Sequence, residues 1–286
     1  PWPRPGHSRT FRSDTADPRL EGPGRPSSAY RASIRMRAFL ESLLDLVFAP
    51  VCLGCDAAIP PSSAERLVCG RCRSRLRAVP PPICARCGAP RLHTGRAPEP
   101  VCDECRGWPP ELRCARSACV LHPPADRLVH QLKYRGWRAL AEPLAARMCQ
   151  VELPEDVRAD TAIVVPVPTT PARIRQRGYN QAELLARAFA RQTGRRLEPV
   201  LHRAAATRTQ TTLQPAARAA NVASAFTVVP GAERRIEGEH LLLVDDVLTT
   251  GATVAECART LAFAGARSVS VITFARALDA RRLIGT

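Results

Sequence analysis

One stretch decides the fold: Leu241-Leu242-Leu243-Val244-Asp245-Asp246-Val247-Leu248-Thr249-Thr250-Gly251-Ala252-Thr253. It opens with aliphatic residues that show no polar alternation, which is typical of a strand buried on both faces in a parallel sheet. We expect this strand to stop at the adjacent carboxylates of Asp245 and Asp246. A short loop rich in threonine and glycine follows, and residues 252–264 then have the one-sided apolar spacing of a packed helix.

The loop between this strand and this helix has the chemistry of a phosphate site. Backbone N–H groups and threonine hydroxyls gather there at the positive N-terminus of a helix, where an anion is stabilised. Beside them, Asp245 and Asp246 can accept hydrogen bonds from sugar hydroxyls or hold a hydrated Mg²⁺ ion. The alternative is a buried strand that ends in acidic residues before an ordinary turn, which is the better interpretation of an isolated Asp-Asp pair.

From about Arg113 onward, apolar strands alternate with amphipathic helices. Further strands are predicted at residues 114–121, 162–167, 197–201, 225–229 and 269–274. Further helices are predicted at residues 125–134, 141–149 and 181–191. This alternation predicts an α/β domain over residues 113–286, built on a mostly parallel sheet flanked by helices.

A second loop follows the predicted strand at 162–167. It carries Pro168 and Thr169 and is followed by Arg173 and Arg177. Ligands of open parallel sheets bind beyond the carboxyl ends of the strands, so we expect this loop and the Asp-Asp loop to face the same crevice. Because arginine forks suit phosphate groups, this loop can bind a phosphate group of a ligand in that crevice. Arginines that are merely solvated are the alternative, above all at Arg173.

Eight of the twelve cysteines form four Cys-x-x-Cys pairs. Each half of this region has the spacing C-x₂-C-x₁₃₋₁₄-C-x₂-C, close to that of four-thiolate zinc sites. We predict two structural zinc ions in a region of residues 36–112, with the ligands Cys52, Cys55, Cys69, Cys72, Cys84, Cys87, Cys102 and Cys105. Pairing within each half is the simplest arrangement, while interleaved pairing and a redox role are the alternatives. The other cysteines are expected to be buried as small apolar residues, namely Cys114, Cys119, Cys149 and Cys257.

The N-terminal region and the composition set the remaining limits. Residues 1–35 are rich in proline and arginine and lack apolar periodicity, so we expect a disordered or mis-assigned extension, followed by an amphipathic helix from Met36 to Val51.

The formal charge is +16, with Lys133 as the only lysine. This charge suits a polyanionic partner, although a basic solvated surface explains it equally well. Apolar stretches are too short to span a membrane, and the paired cysteines favour a reducing cytosol, so a cytoplasmic protein is expected.

The stretch 241–253 resembles the phosphoribosyl pyrophosphate loop of type I phosphoribosyltransferases. That loop reads as aliphatic residues, two acidic residues, a variable pair, then Thr-Gly and another Thr, and every position is filled here. The resemblance implies that Asp245 and Asp246, as candidate catalytic residues, bind the ribose hydroxyls. It also implies that the following residues bind the ribose phosphate: Thr249, Thr250, Gly251, Ala252 and Thr253. The loop after the strand at 162–167 would then bind pyrophosphate through Pro168, Thr169, Arg173 and Arg177.

A narrower resemblance comes from the segment Arg177-Gly178-Tyr179-Asn180-Gln181. It is similar to the most recognisable motif of the ComF family, the competence-associated phosphoribosyltransferase-like proteins. The likeness covers residues 36–277 and includes Leu132-Lys133-Tyr134-Arg135-Gly136 and the cysteine-rich start. It implies a type I phosphoribosyltransferase-like fold preceded by a double zinc ribbon. Enzymes of this fold have a flexible loop that closes over the substrate, and here the corresponding candidates are Arg203, Gln210, Arg218 and Asn221.

Two functions follow as expectations from this resemblance. The first is binding of phosphoribosyl pyrophosphate with Mg²⁺, and a pentosyl transfer from it, since acids near the sugar and cations near pyrophosphate have the required signs. The second is a non-catalytic module of DNA uptake that binds single-stranded DNA or a helicase-like competence partner. No segment that would recognise a nucleobase is identified, so both hypotheses stay open.

Overall fold

The computed structural model describes residues 50–60, 62–91, 102–204 and 225–278. The predicted extension 1–35 and residues 36–49 of the predicted N-terminal helix lie outside these ranges. Val51, where that helix was predicted to end, instead forms an isolated bridge with Ala58. The short helix α1, Gly70–Ser74, lies within the first cysteine half.

The rest of the described chain alternates strands and helices. The strands are β1 Leu112–Val120, β2 Ile163–Pro166, β3 Arg196–Leu197, β4 Leu201–Arg203, β5 Phe226–Val228, β6 His240–Leu248 and β7 Ser268–Arg276. The helices are α2 Ala125–Tyr134, α3 Ala141–Met148, α4 Glu155–Asp160, α5 Pro171–Arg177, α6 Gln181–Thr193, α7 Glu233–Ile236 and α8 Ala252–Phe263, with a 3₁₀ turn at Arg138–Leu140. The predicted α/β alternation is therefore confirmed.

Five strands form a parallel sheet in the order β1-β7-β6-β2-β3, and β4 and β5 form a separate antiparallel pair. The inner strand β6 is paired along its length, with β7 on one side and β2 on the other. After β2 the chain moves outward to β3, whereas after β6 it moves outward in the opposite direction to β7. The carboxyl ends of β2 and β6 therefore flank a topological switch point, where open sheets bind their ligands.

Successive residues of β6 enter two different apolar cores, one on each face of the sheet. Leu242 and Val244 belong to the core that also contains α2, α3 and α6, whereas Leu241 and Leu243 belong to the core that contains α8. All four side chains are completely buried. Because helices cover both faces, the strand needs apolar residues at every position, which explains its unbroken aliphatic run.

The two cysteine halves divide between these cores. Cys52 and Cys72 are buried with the residues of α2 and α3, whereas Cys84, Cys87 and Cys105 are buried with those of α8. Each cysteine half thus supplies part of the apolar cover for one face of the sheet.

Two strand predictions were wrong. Strand β6 does not stop at the acidic pair but continues to Leu248, because β7 is equally long and pairs with it as far as Arg276. The predicted strand 197–201 is divided, since Leu197 pairs with β2 while Leu201 pairs with β5. The acidic pair consequently lies within a hydrogen-bonded strand.

Candidate functional site

The acidic pair lies at the carboxyl end of β6, beside the loop that follows β2. The two strands are in register as far as Pro166 and Val244, and the N–H of Val167 donates to the Val244 carbonyl at 3.0 Å. Pro168 and Thr169, the next residues of the β2 loop, are half-buried. The structure therefore brings together the loops that were predicted to share a crevice.

Asp246 forms an ion pair with Lys133, at the end of α2. The distance from Lys133 Nζ to Asp246 Oδ1 is 2.8 Å, and the Asp246 side chain is only 9% exposed. Lys133 was named within a sequence motif but was not predicted as a site residue. The chain has 41 arginines and one lysine, and this rarity was the available signal that Lys133 has a specific role. No local pattern indicated which carboxylate it would contact.

Asp245 lies on the other side of the strand from Asp246. Its Oδ1 accepts a hydrogen bond from the Asp246 N–H at 2.8 Å. Burial, and next the negative charge of Asp246, raise the pKa of Asp245 well above its ordinary value, while the positive charges of Lys133 and Arg203 act in the opposite direction. The pair is therefore a concentration of negative charge that a cation would stabilise.

The segment after β6 has its predicted form. Thr249 and Thr250 are exposed, and Gly251 has a positive φ of 80° and precedes the first turn of α8. The Thr250 hydroxyl accepts a hydrogen bond from the Ala252 N–H at 3.4 Å. Ala252 is exposed and Thr253 half-buried. Hydroxyls, a helix N-terminus and two carboxylates thus follow one another at a single edge of the sheet.

Arg173 and Arg177 lie on a helix, α5, that was not predicted. The Thr170 hydroxyl accepts a hydrogen bond from the Arg173 N–H at 3.3 Å, Pro171 is its first residue, and Gly178 ends it with φ 78°. This Thr-Pro start and glycine end were readable in the sequence as helix boundaries. Arg173 is exposed, whereas Arg177 is half-buried and its guanidinium lies 4.6 Å from the centre of the Tyr134 ring.

The Tyr179-Asn180 part of the motif connects elements around the end of β6. The Tyr179 hydroxyl donates to the carbonyl of Leu132, the residue before Lys133. The Asn180 side chain accepts from the Ala182 N–H at 3.2 Å, capping α6, and donates to the Val167 carbonyl at 3.0 Å. These contacts hold the end of α2 and the β2 loop in place.

Of the four predicted residues of the closing loop, only Arg203 is described. It ends β4, and its guanidinium lies 5.0 Å from the centre of the Phe226 ring. Gln210, Arg218 and Asn221 lie outside the described residues.

The eight paired cysteines form two tetrads, Cys52, Cys55, Cys69 and Cys72, and Cys84, Cys87, Cys102 and Cys105. Pairing is therefore within each half, not interleaved. A zinc ion bound tetrahedrally by four thiolates at about 2.3 Å separates the sulfurs by about 3.8 Å. The Sγ distances of 3.8 Å for Cys55–Cys69 and for Cys84–Cys105 match this geometry. Both tetrads are consistent with structural zinc.

Backbone donors around the first tetrad support the same conclusion. The N–H groups of Gly54 and Cys69 each lie 3.3 Å from Cys52 Sγ, and the N–H of Cys72 lies 3.4 Å from Cys69 Sγ. Such donors stabilise thiolates, the form that binds metal.

Three of the four remaining cysteines are buried as predicted: Cys114, Cys119 and Cys257. The prediction for Cys149 was wrong, because it follows the last turn of α3 and is exposed. Its Sγ lies 3.6 Å from the side-chain oxygen of Gln192.

In the described part of the chain, no helix combines the length and the apolar character needed to cross a membrane.

Comparison with known proteins agrees with these two parts. The model of the double zinc ribbon domain matches residues 43–119, and that of the phosphoribosyl transferase domain matches residues 174–284. The DNA utilization protein YhgH of Salmonella typhimurium is 34% identical over 202 residues, which cover 68% of this chain and 85% of that protein. The competence protein ComFC of Bacillus subtilis is 27% identical over 244 residues, which cover 79% of this chain and 95% of that protein.

A solved structure of glutamine phosphoribosylpyrophosphate amidotransferase from B. subtilis is 23% identical, covering 50% of this chain and 26% of that chain with a TM-score of 0.32. This likeness is too low to add to the fold described above.

The molecule is thus a double zinc ribbon joined to a phosphoribosyltransferase-like domain. The chain belongs to the ComF family.

The raised pKa of Asp245 predicts a pH-dependent stability. The folded protein holds this proton more tightly than the unfolded chain, so stability falls as pH rises from the ordinary carboxyl pKa of about 4 toward the raised folded value. Asp245→Asn removes this loss of stability, because the amide does not ionise. In denaturant titrations without Mg²⁺, we expect the variant to be more stable than the wild type near neutral pH, and the difference to shrink toward about pH 4. The same difference at both pH values would contradict the interpretation.

The tetrads predict about two zinc ions per chain in freshly purified, reduced protein. Cys102→Ser removes one sulfur of the second tetrad, so mass-spectrometric metal analysis should find about one zinc ion in that variant. The exposed Cys149, which belongs to neither tetrad, supplies the matched control, because Cys149→Ser should retain both ions. Wild-type protein without zinc would rule out the zinc assignment.

Proposed function

We propose that this protein binds phosphoribosyl pyrophosphate together with Mg²⁺ at the carboxyl ends of β2 and β6. One observation carries the proposal: Asp245 and Asp246, the exposed hydroxyls of Thr249 and Thr250, and the N-terminus of α8 follow one another at the switch point of the sheet. The two carboxylates would accept hydrogen bonds from the ribose hydroxyls, and residues 249–253 would bind the ribose phosphate.

The pyrophosphate end would lie toward α2 and α5. There the β2 loop supplies Pro168 and Thr169, and α5 supplies Arg173 and Arg177. We add Lys133 to this group, because its ammonium already lies 2.8 Å from Asp246 at the crevice. Positive groups then lie on both sides of the acidic pair, the cations on this side and the N-terminus of α8 on the other, as a ribose between two phosphate groups requires.

The carboxylates fit a hard divalent cation such as Mg²⁺, which prefers oxygen ligands. Bound with the ligand, Mg²⁺ would supply positive charge beside the leaving pyrophosphate. Asp245 has a raised pKa because it is buried next to Asp246, so a bound cation would also favour its ionised form.

The reaction that this arrangement supports is pentosyl transfer. Positive charge develops on the ribose as pyrophosphate leaves, so fixed carboxylates beside the sugar stabilise the transition state. The acceptor is not assigned. The cysteines of the tetrads must stay reduced to bind zinc, and we therefore propose a cytoplasmic location.

Calorimetric titration with phosphoribosyl pyrophosphate and Mg²⁺ tests the proposal. We expect saturable binding by the wild type and a loss of at least about 100-fold in affinity for Asp245→Ala/Asp246→Ala, because two charged hydrogen-bond acceptors are removed. Glu155→Gln is the control, since Glu155 is exposed on α4 and pairs with Arg158. No binding by the wild type would overturn the proposal, while binding without turnover of any tested base would restrict it to ligand binding.

A second candidate function is binding of single-stranded DNA, and one surface favours it. Tyr134 and Trp137 are 57% and 43% exposed, and Arg135 and Arg138 lie on the same exposed segment. Exposed aromatic rings among arginines provide stacking surfaces for bases and cations for phosphates. We propose the same exposed segment, residues 134–138, as the contact surface for a helicase-like partner.

Fluorescence anisotropy with labelled oligodeoxythymidine over a salt series tests this second candidate. Trp137→Ala should weaken binding by roughly 5- to 100-fold, the range expected for the loss of one stacked base. Arg187→Ala, on the exposed face of α6, is the control for a lost surface charge. Equal affinities of the wild type and Trp137→Ala, or no binding at low salt, would exclude this surface.

A further inference from the structure

The loop that follows β6 is in contact with the second cysteine half through Trp108. A Cβ atom at position 251 would lie 2.3 Å from Trp108 Cζ2 and 2.9 Å from its Nε1, so the indole ring packs directly on Gly251. Trp108 is only 8% exposed and belongs to the same apolar core as Val254 and Cys257 of α8. The ring therefore covers the peptide that joins the loop to its helix.

The second tetrad holds the backbone of Trp108. The Trp108 N–H donates to the carbonyl of Cys105, a member of the tetrad, at 3.1 Å. Arg86, between Cys84 and Cys87, donates to the carbonyls of Cys105 and Trp108, each at 3.2 Å. From the other side, Arg259 of α8 reaches the Gly107 carbonyl at 3.3 Å. The position of the indole thus depends on the folded second tetrad.

The start of the same loop is also tied to the second tetrad. Leu248, the last residue of β6, is in register with Arg276 of β7. Arg276 is only 2% exposed. Its side chain donates to the Cys87 carbonyl at 2.7 Å and forms an ion pair with Glu104. The start of the three-residue loop Thr249–Gly251 is therefore linked to the second tetrad through β7, and its end through Trp108.

The first tetrad has different neighbours. Its Cys52 and Cys72 are buried in the core on the opposite face of the sheet, and Asp56, next to Cys55, forms an ion pair with Arg127 of α2. Gly54 packs beside Pro124, just before the same helix. Among the described residues, no backbone hydrogen bond joins this tetrad to Thr249–Gly251.

We propose that the second zinc ribbon is a clamp for the phosphate-binding loop, with Trp108 as its positioning residue. The affinity of the loop for a phosphate ester then depends on the packing of that ribbon against Gly251 and is independent of the first ribbon. This inference rests on the proposed function, because the ligand that reports it is phosphoribosyl pyrophosphate. The tetrad geometry fits zinc, and the indole contact transmits its effect to Gly251.

The test compares Trp108→Ala, Trp108→Leu and Trp108→Phe with the wild type. Trp108→Leu keeps an apolar side chain in the core if the alanine variant does not fold, and Trp108→Phe retains an aromatic ring over Gly251. Affinity is measured by calorimetry for phosphoribosyl pyrophosphate with Mg²⁺ and, separately, for inorganic pyrophosphate. Zinc content and hydrogen exchange of the peptide containing residues 249–252 are measured on the same samples. Arg127→Ala, which breaks the ion pair beside the first tetrad, is the control.

We expect Trp108→Ala and Trp108→Leu to bind phosphoribosyl pyrophosphate about tenfold more weakly, the order of loss expected when a loop must be ordered on binding. Inorganic pyrophosphate affinity and the two zinc ions should be retained, the loop should exchange faster, and Trp108→Phe and Arg127→Ala should behave as the wild type. Unchanged affinity and unchanged loop exchange in Trp108→Ala or Trp108→Leu would overturn the inference.

Failure of the proposed function gives a different result. If the wild type binds no phosphoribosyl pyrophosphate, hydrogen exchange of residues 249–252 alone tests whether the ribbon clamps the loop. Faster exchange in Trp108→Leu but not in Trp108→Phe supports the clamp. Equal exchange in all variants overturns it.

Discussion

The end of strand β6 places two adjacent carboxylates in a largely buried position, and the surrounding structure compensates for their charge. Neighbouring residues of a strand point to opposite faces, so the two carboxylates have different neighbours. Asp246 pairs with Lys133 on the side of α2, at 2.8 Å. The charges of Lys133 and, more weakly, of Arg203, which ends β4, act on Asp245, which also lies close enough to Cys257 of α8 to affect the pKa of that thiol. A buried acidic pair that is only partly compensated is costly to stability, so its presence at a switch point favours a ligand-binding role.

The Arg-Gly-Tyr-Asn-Gln motif contributes to this site mainly by positioning it. Tyr179 holds the carbonyl of Leu132, so it supports the turn that presents Lys133 to Asp246. Asn180 fixes the β2 loop through Val167, and that loop lies against the end of β6. Arg177 packs on Tyr134, the residue that follows Lys133. The motif therefore links three elements around the acidic pair through the contacts of Arg177, Tyr179 and Asn180.

Local sequence patterns predicted the elements of the sheet, the acidic pair, the Thr-Gly loop and both tetrads, because each depends on spacing within one segment. They failed where the deciding partner is distant in sequence. Strand β6 runs past its acids because β7 is equally long, and Lys133 meets Asp246 through the packing of α2. Cys149 is exposed because it follows the end of α3, where the packed face of that helix stops. Helix α5, by contrast, had readable boundary residues in Thr170, Pro171 and Gly178.

Gly251 is glycine for two physical reasons, its backbone conformation and its close packing, and a sequence motif alone does not distinguish them. Glycine in a phosphate loop is usually explained by a positive φ or by the close approach of the ligand to the backbone. Gly251 does have φ 80°, but the space a side chain would need is filled by Trp108. Its small size thus serves the docking of the second zinc ribbon. The groups left to meet a phosphate are those that remain exposed, Thr249, Thr250 and the first turn of α8 at Ala252. A ligand would therefore approach from the side opposite the ribbon, and the same glycine lets protein pack on one side of the loop while the other side stays open for the proposed phosphate.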